Sequence, residues 1–229
     1  MKLTELCSEP LPGDLDLSEE ILIGNDLCGE MPRLVSEHIG PRPLWLADPS
    51  TWNALGDVDL DGKTGRPVGE EGLHLLPGHP HADTEQVGRV CGLVEGGGFS
   101  GIVAVGSGTV NDIAKMAATL SSVPYIAFAT AASMNGYSSG IAAILADGLK
   151  VTVPARPPRA LIMDSNVLAK APPELAQAGL GDLLSKPVST ADWWLGDRLE
   201  GRGFDELPGR IVDDAVRQAA THAAGLPLG

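Results

Sequence analysis

The stretch GIVAVGSGTVNDIAK, residues 101–115, decides the fold. Its apolar run, Gly101 to Val105, is short and carries no polar residue, the pattern of a strand covered on both faces. Gly106-Ser107-Gly108 follows at once, and residues 109–120 return apolar side chains at helical spacing. Thr109 stands where a cap of that helix belongs, so the free N–H groups of the first turn face the glycine turn. Such a turn either holds an anion at the helix N-terminus or only lets the chain reverse tightly. The spacing is not G-x-G-x-x-G, and on these residues alone both readings stand.

The same rhythm extends on both sides. LWLA (44–47) is an apolar run ending at Asp48, and PSTWNALG after it reads as a helix closed by Gly56. LHLL (73–76) is a second run, and ADTEQVGRVCGLVEGG a helix with Val87, Val90, Cys91 and Val94 on one face. PYIAFAT (124–130) is a further strand, and DLSEEILIG could open one near Ile21 to Ile23. Short buried runs alternating with helices specify a parallel sheet with crossover helices. This is a Rossmann-like α/β domain over residues 1–163, with a polar loop at 57–72. KVTVPARPPRALIMD (150–164) interrupts the pattern, because Pro154, Pro157 and Pro158 cannot lie in a central strand. An excursion or edge hairpin is expected there, returning through ALIMD to a strand ending at Asp164.

Beyond Asp164 the pattern is helical. PPELAQAGLGDLLSK, STADWWLGDRLEG and PGRIVDDAVRQAATHAA carry helical spacing, with Pro172, Pro187 and Pro208 near their starts. Residues 164–229 read as the start of an all-α domain, apparently truncated. Three helices are few for a core, so exposed apolar surface and self-association are expected.

Composition narrows the partners. Lys and Arg total 16 against 30 Asp and Glu, a formal net charge of −14, which argues against nucleic acid or an anionic membrane surface. An anionic ligand would have to be held by local devices such as helix N-termini or a metal. Cys7, Cys28 and Cys91 form no C-x-x-C pair and suit a reducing compartment. The N-terminus lacks the apolar core of a signal peptide and no run is long enough to span a bilayer, so a cytoplasmic protein is expected.

Two more constellations can carry chemistry. TAASMNGYSSG (130–140) starts where a strand ends, and Thr130, Ser133, Asn135, Ser138 and Ser139 offer donors and acceptors where open α/β sheets bind ligands. A Ser/Gly loop with local caps is the simpler account. In AGLGDLLSKP (178–187), Asp182 lies among Leu180, Leu183 and Leu184 with Lys186 one turn on. That is either a solvated i,i+4 ion pair or a carboxylate reserved for a metal. His79-Pro80-His81 reads as surface, and His222, near Asp213 and Asp214, as a partly exposed helix histidine.

Taken together, GSGTVNDIAK, TAASMNGYSSG and AGLGDLLSKPVSTADWWL closely resemble the sn-glycerol-1-phosphate dehydrogenases, in particular their bacterial branch. These belong with the dehydroquinate synthases, glycerol dehydrogenases and iron-containing alcohol dehydrogenases. The resemblance covers roughly residues 40–229. It implies a dehydroquinate synthase-like fold, with the active site between a Rossmann-like and a helical domain. It implies that Gly108, Thr109, Val110, Asn111 and Asp112 line the pyrophosphate of NAD or NADP, with Gly106 shaping the turn. Thr130, Ala131, Ala132 and Ser133 would continue that contact, Ser139 would touch the cofactor again, and Asp48 would meet the adenosine ribose. Asp182 would bind both a divalent metal, zinc or nickel, and the substrate, and Asn135 stands where the family often has a substrate-binding Asp. The implied reaction is reduction of dihydroxyacetone phosphate, a phosphorylated triose, to sn-glycerol 1-phosphate in a homo-oligomer. The family's two metal-binding histidines have no counterpart here, so an inactive NAD(P)-binding remnant or partner-docking fragment is the main alternative. A glycerol or polyol dehydrogenase of the same superfamily is another.

Overall fold

The structure, a computed structural model, describes residues 16–56 and 72–225. Cys7 and nearly all of the polar loop expected at 57–72 lie outside the described residues. Eight strands are described. They are β1 (Glu20–Gly24), β2 (Pro43–Ala47), β3 (Leu73–Leu75), β4 (Gly101–Gly106), β5 (Tyr125–Ala129), β6 (Ile141–Ala146), β7 (Leu149–Pro154) and β8 (Ala160–Asp164). The α-helices are α1 (Met31–Leu34), α2 (Pro49–Ala54), α3 (Thr84–Gly97), α4 (Gly108–Leu120), α5 (Ser165–Leu168), α6 (Pro173–Leu184), α7 (Lys186–Glu200) and α8 (Glu206–His222).

Six strands make one parallel sheet in the order β1-β8-β5-β4-β2-β3. Every residue of β4 and β5 is buried, which explains why their sequences show no alternation. On one face Val87, Val90 and Val94 of α3 and Val110, Ile113 and Ala117 of α4 pack on Leu44, Ile102 and Ala127. Cys91, expected on the same face of α3, is only half-buried. On the opposite face Met31, Leu34, Trp52 and Val167 pack on Trp45, Val103, Phe128 and Ile162. Trp45 and Trp52 meet edge to face at 6.1 Å and seat α2 on its own strand.

The elements are closed by local chemistry. Asp48 caps α2, accepting from the amides of Ser50 and Thr51, while the Thr51 hydroxyl accepts from the Asp48 amide. Asp83 caps α3 through the Gln86 amide at 2.8 Å, and Gly98 closes it at φ +61°. Replacing Asp83 with alanine is expected to cost about 1 kcal/mol in chemical denaturation, with no change in fold.

The proline-rich interruption is an antiparallel hairpin, β6 with β7, outside the main sheet. Asp147 and Gly148 turn it, both at positive φ, joining Ala146 to its partner Leu149. Pro154 ends β7, and the chain returns to the sheet through β8, as the sequence implied. Helices α6 to α8 occupy the segments expected after Asp164. No residue of α6 or α7 is buried, and in α8 only Gly209 is. Val188, Trp194, Leu195 and Leu199 of α7 are exposed, Leu199 at 74%. No helix among the described residues is long and apolar enough to cross a membrane.

Candidate functional site

The sheet has a switch point between β2 and β4. These strands are neighbours, yet the chain leaves β2 toward the β3 edge and leaves β4 toward β5. Helices α2 and α4, which follow them, lie on opposite faces. A crevice therefore opens at their carboxyl ends, the place where open α/β sheets take ligands. Asp48, just after β2, and Gly106, the last residue of β4, flank it.

Gly106 continues β4, and a Cβ there would stand 2.4 Å from the Cβ of Val110, so only glycine fits beneath the first turn of α4. Ser107, at φ −96° and ψ −158°, is the N-cap residue, and its side chain makes no capping bond. The helix begins at Gly108. This corrects the expectation that Thr109 caps it: extended geometry falls two residues earlier, and Thr109 already lies inside the first turn. The first helical bond runs from the Asn111 amide to the Ser107 carbonyl at 3.0 Å. The amides before it have no helical partner and no side-chain cap, leaving a donor-rich helix end.

That end opens into a cavity of about 470 Å³. Ser107, Gly108, Thr109 and Asp112 form one wall, Ser133 and Met134 another, and Ala143, Leu145 and Lys150 of the hairpin a third. His81, Ala82 and Leu175 complete it; His81 is exposed, as expected, and borders the cavity from the surface. Burial raises the Asp112 carboxyl above its ordinary value, with the Lys115 ammonium opposing. The hairpin is tied to the domain by the Leu145 amide on the Ala82 carbonyl, 2.7 Å, and by the Ala143 amide on Asp112 Oδ2, 3.4 Å.

The expected cofactor contacts divide into groups. Gly108, Thr109, Asp112 and Ser133 line the cavity. Val110, Asn111, Thr130 and Ala131 are buried in the walls behind it, each at most 5% exposed, and support the turn rather than present side chains to a ligand. The Ser139 hydroxyl is occupied by Gly136, Ile141 and Lys115. Asp48 uses one carboxylate oxygen, Oδ1, as the cap of α2.

Asp182 and Asn135 are brought together, although 47 residues separate them. The Asn135 amide donates to Asp182 Oδ2 at 2.9 Å, and Lys186 Nζ reaches Oδ1 at 3.0 Å. The i,i+4 ion pair is thus present, and the carboxylate also anchors α6 to the 130–140 loop. Burial works to raise the Asp182 carboxyl, but the Asn135 amide and Lys186 outweigh it and hold the group below its ordinary value. Its folded pKa is therefore below its unfolded one, and the contact contributes fully above the ordinary carboxylate range. As pH falls through the folded value the contribution is lost. With the side chain a third exposed, Asp182→Asn is expected to cost about 0.5–1 kcal/mol. Protection of the Asn135 amide from exchange should fall in that variant, and in the wild type on acidification.

Two residues escaped sequence reasoning. Gly179 of α6 lies against the loop backbone, where a Cβ would stand 1.9 Å from the Ala132 carbonyl oxygen. Lys115 is fully buried, and its ammonium donates to Gly136 O, Ser139 Oγ and Ile141 O at 2.9, 3.0 and 3.0 Å. The lysine in GSGTVNDIAK was a visible signal, a charge on the buried face of an apolar helix.

The donor set fits an elongated anionic ligand such as a dinucleotide: an uncapped helix end, a glycine at its first residue, and a cavity of sufficient size. It does not by itself fit a metal at Asp182. Both carboxylate oxygens are engaged, and among the described residues Asp182 belongs to no group of three histidine, cysteine or carboxylate side chains close enough to share a metal. His222 is exposed on α8, its Nδ1 on the Gln218 carbonyl.

A family model described as iron-containing alcohol dehydrogenase matches residues 22–172. A glycerol-1-phosphate dehydrogenase (NAD(P)+) of Bacillus velezensis is 32% identical over 216 residues, 92% of this chain and 54% of that protein. Its namesake from Thermococcus kodakarensis is 34% identical over 218 residues, 94% of this chain and 60% of that protein. The chain thus spans little more than half the length of these relatives. Among solved structures, glycerol dehydrogenase from Schizosaccharomyces pombe superposes with a TM-score of 0.65 at 22% identity, covering 80% of this chain and 46% of that one. That likeness establishes the dehydroquinate synthase-like fold.

Proposed function

Because the chain belongs to the iron-containing alcohol dehydrogenase family, we propose that it carries the dinucleotide-binding side of an NAD(P)-dependent reductase. The proposed substrate is dihydroxyacetone phosphate and the product sn-glycerol 1-phosphate. The observation that carries the reading is the uncapped N-terminus of α4, opening with Gly108 into a cavity at the switch point of the sheet. The names of the relatives support the substrate.

When bound, a reduced nicotinamide supplies the hydride to the substrate carbonyl. The first-turn amides of α4 would donate to the pyrophosphate oxygens, and Gly108 permits their close approach. Asp48, across the switch point, keeps one carboxylate oxygen beyond its capping bonds for a ribose hydroxyl. Ser133 would orient the nicotinamide side of the ligand from the opposite wall. Asn135 and Asp182, joined where α6 meets the loop, are the proposed contacts for the substrate's hydroxyl groups. The carbonyl oxygen takes up one proton from solvent as the alcohol forms.

A second reading is favoured by one observation, the engagement of both Asp182 oxygens. On that reading the chain binds NAD(P)H without turnover of its own. Fluorescence titration with NADH and NADPH tests the shared claim, and saturable binding is expected. Absence of binding to either would overturn both readings. Consumption of NAD(P)H with dihydroxyacetone phosphate separates them, since turnover supports the first reading and excludes the second.

A further inference from the structure

Lys115 is a buried cation with no part in the binding scheme above. It rises from α4 about two turns after Gly108, below the wall that carries Ser107, Gly108, Thr109 and Asp112. Its three acceptors belong to the 136–141 segment. That segment joins the loop bearing Ser133 and Met134 to the hairpin bearing Ala143, Leu145 and Lys150, the other two walls of the cavity. An ammonium has three N–H donors, and here each has an acceptor at 2.9 or 3.0 Å, so one side chain joins all three walls. The Ser139 hydroxyl lies within hydrogen-bond distance of the same two carbonyls, which closes the cluster.

We propose that Lys115 is a positioning residue that holds the cavity at the width a dinucleotide needs, acting through the 136–141 segment rather than by touching the ligand. The inference rests on the dinucleotide reading of the cavity. It makes affinity depend on the charge of a group that no ligand reaches. On losing its proton Lys115 exchanges three charge-assisted hydrogen bonds for weaker neutral ones: two N–H donors remain, and the lone pair can only accept from the Ser139 hydroxyl. The loop and hairpin then relax from α4.

Burial pushes the Lys115 pKa down from 10.5 to about 8, and the Asp112 carboxylate one turn away opposes this. The folded pKa lies below the unfolded one, so the titration of Lys115 itself adds to stability as pH rises from 8 to 10.5. A loss of affinity in that window is therefore not unfolding driven by Lys115. The charged or titratable groups around it include Asp112 on α4, Lys150 on β7, Tyr125 on β5, Tyr137 in the loop, Glu85, Arg89, Cys91 and Glu95 on α3, and His81 at the cavity. Both tyrosines are pushed far above their ordinary value, chiefly by burial, and stay neutral in this range. The Cys91 thiol lies 3.8 Å from the Ala117 carbonyl, so Cys91→Ala serves as the background.

The test is the NADH dissociation constant of the Cys91→Ala chain from pH 6.5 to 9.5, with and without Lys115→Met. Affinity is expected to fall about fivefold or more across the window when Lys115 is present. Lys115→Met is expected to bind weakly at every pH with no break. Amide exchange at residues 142–145, corrected for its intrinsic pH dependence, should accelerate over the same window. A flat affinity profile with unchanged exchange would overturn the proposal, as would a break that persists in Lys115→Met. If NADH binds at no pH, the functional reading fails and the exchange profile alone decides the latch. If Lys115→Met does not fold, the affinity and exchange profiles of the background chain decide it.

Discussion

Gly179→Ala is expected to detach helix α6 from the body of the molecule while leaving the parallel sheet folded. The added methyl would stand 1.9 Å from the Ala132 carbonyl oxygen and 2.9 Å from its carbon, with the Ser133 carbonyl carbon at 3.3 Å. These are backbone atoms, so no side-chain rotation relieves the clash. Forced overpacking costs about 3 kcal/mol, more than the Asp182–Asn135 contact and the Lys186 pair supply. Loss of Asn135 amide protection, with the sheet amides still protected, is the expected signature. Gly181→Ala on the same helix is the control. Nothing lies within 4 Å of its added methyl, and it is expected to stabilise α6 by about 0.5–1 kcal/mol. Equal behaviour of the two variants would contradict the docking of α6 through Gly179.

Gly106→Ala is the second large effect, expected at about 2–3 kcal/mol together with loss of NAD(P)H binding. Its methyl would meet Val110 at Cβ, Cγ2 and Cγ1, at 2.4, 2.6 and 2.9 Å. Because the closest atom is Cβ itself, rotation of Val110 gives no relief, and the first turn of α4 must move away from β4. That movement displaces the amides proposed to hold the pyrophosphate. Pairing Gly106→Ala with Val110→Gly, which removes the Cβ as well, should recover part of both losses, a coupling readable in a double-mutant cycle. Strict additivity would show that the two residues do not share the space at the turn.

The sheet was legible because its strands are short, wholly apolar and punctuated. LWLA ends at a capping Asp48, and GIVAV at a glycine that only Val110 underneath makes obligatory. The hairpin was legible as an interruption, and Asp147-Gly148 was its overlooked signal, since both residues take the positive φ of a tight turn. The start of α4 was misplaced because Gly108 was taken for part of the turn, whereas the structure uses it as the first helical residue. Asp182 showed its ion pair with Lys186 in the sequence, at a spacing of four. Its bond to Asn135, at a separation of 47, left no local trace. The partners of Lys115 lie 21 to 26 residues downstream, and only the folded loop brings them to one nitrogen.

The central claim is that a dinucleotide lies on the uncapped start of α4. Mapping backbone amide shifts on addition of NADH or NADPH tests it most directly. Changes should concentrate at Ser107, Gly108, Thr109 and Asp112 and at Ser133 and Met134, with the α7 surface unaffected. Saturable binding that leaves the Gly108 and Thr109 amides unchanged would contradict the claim.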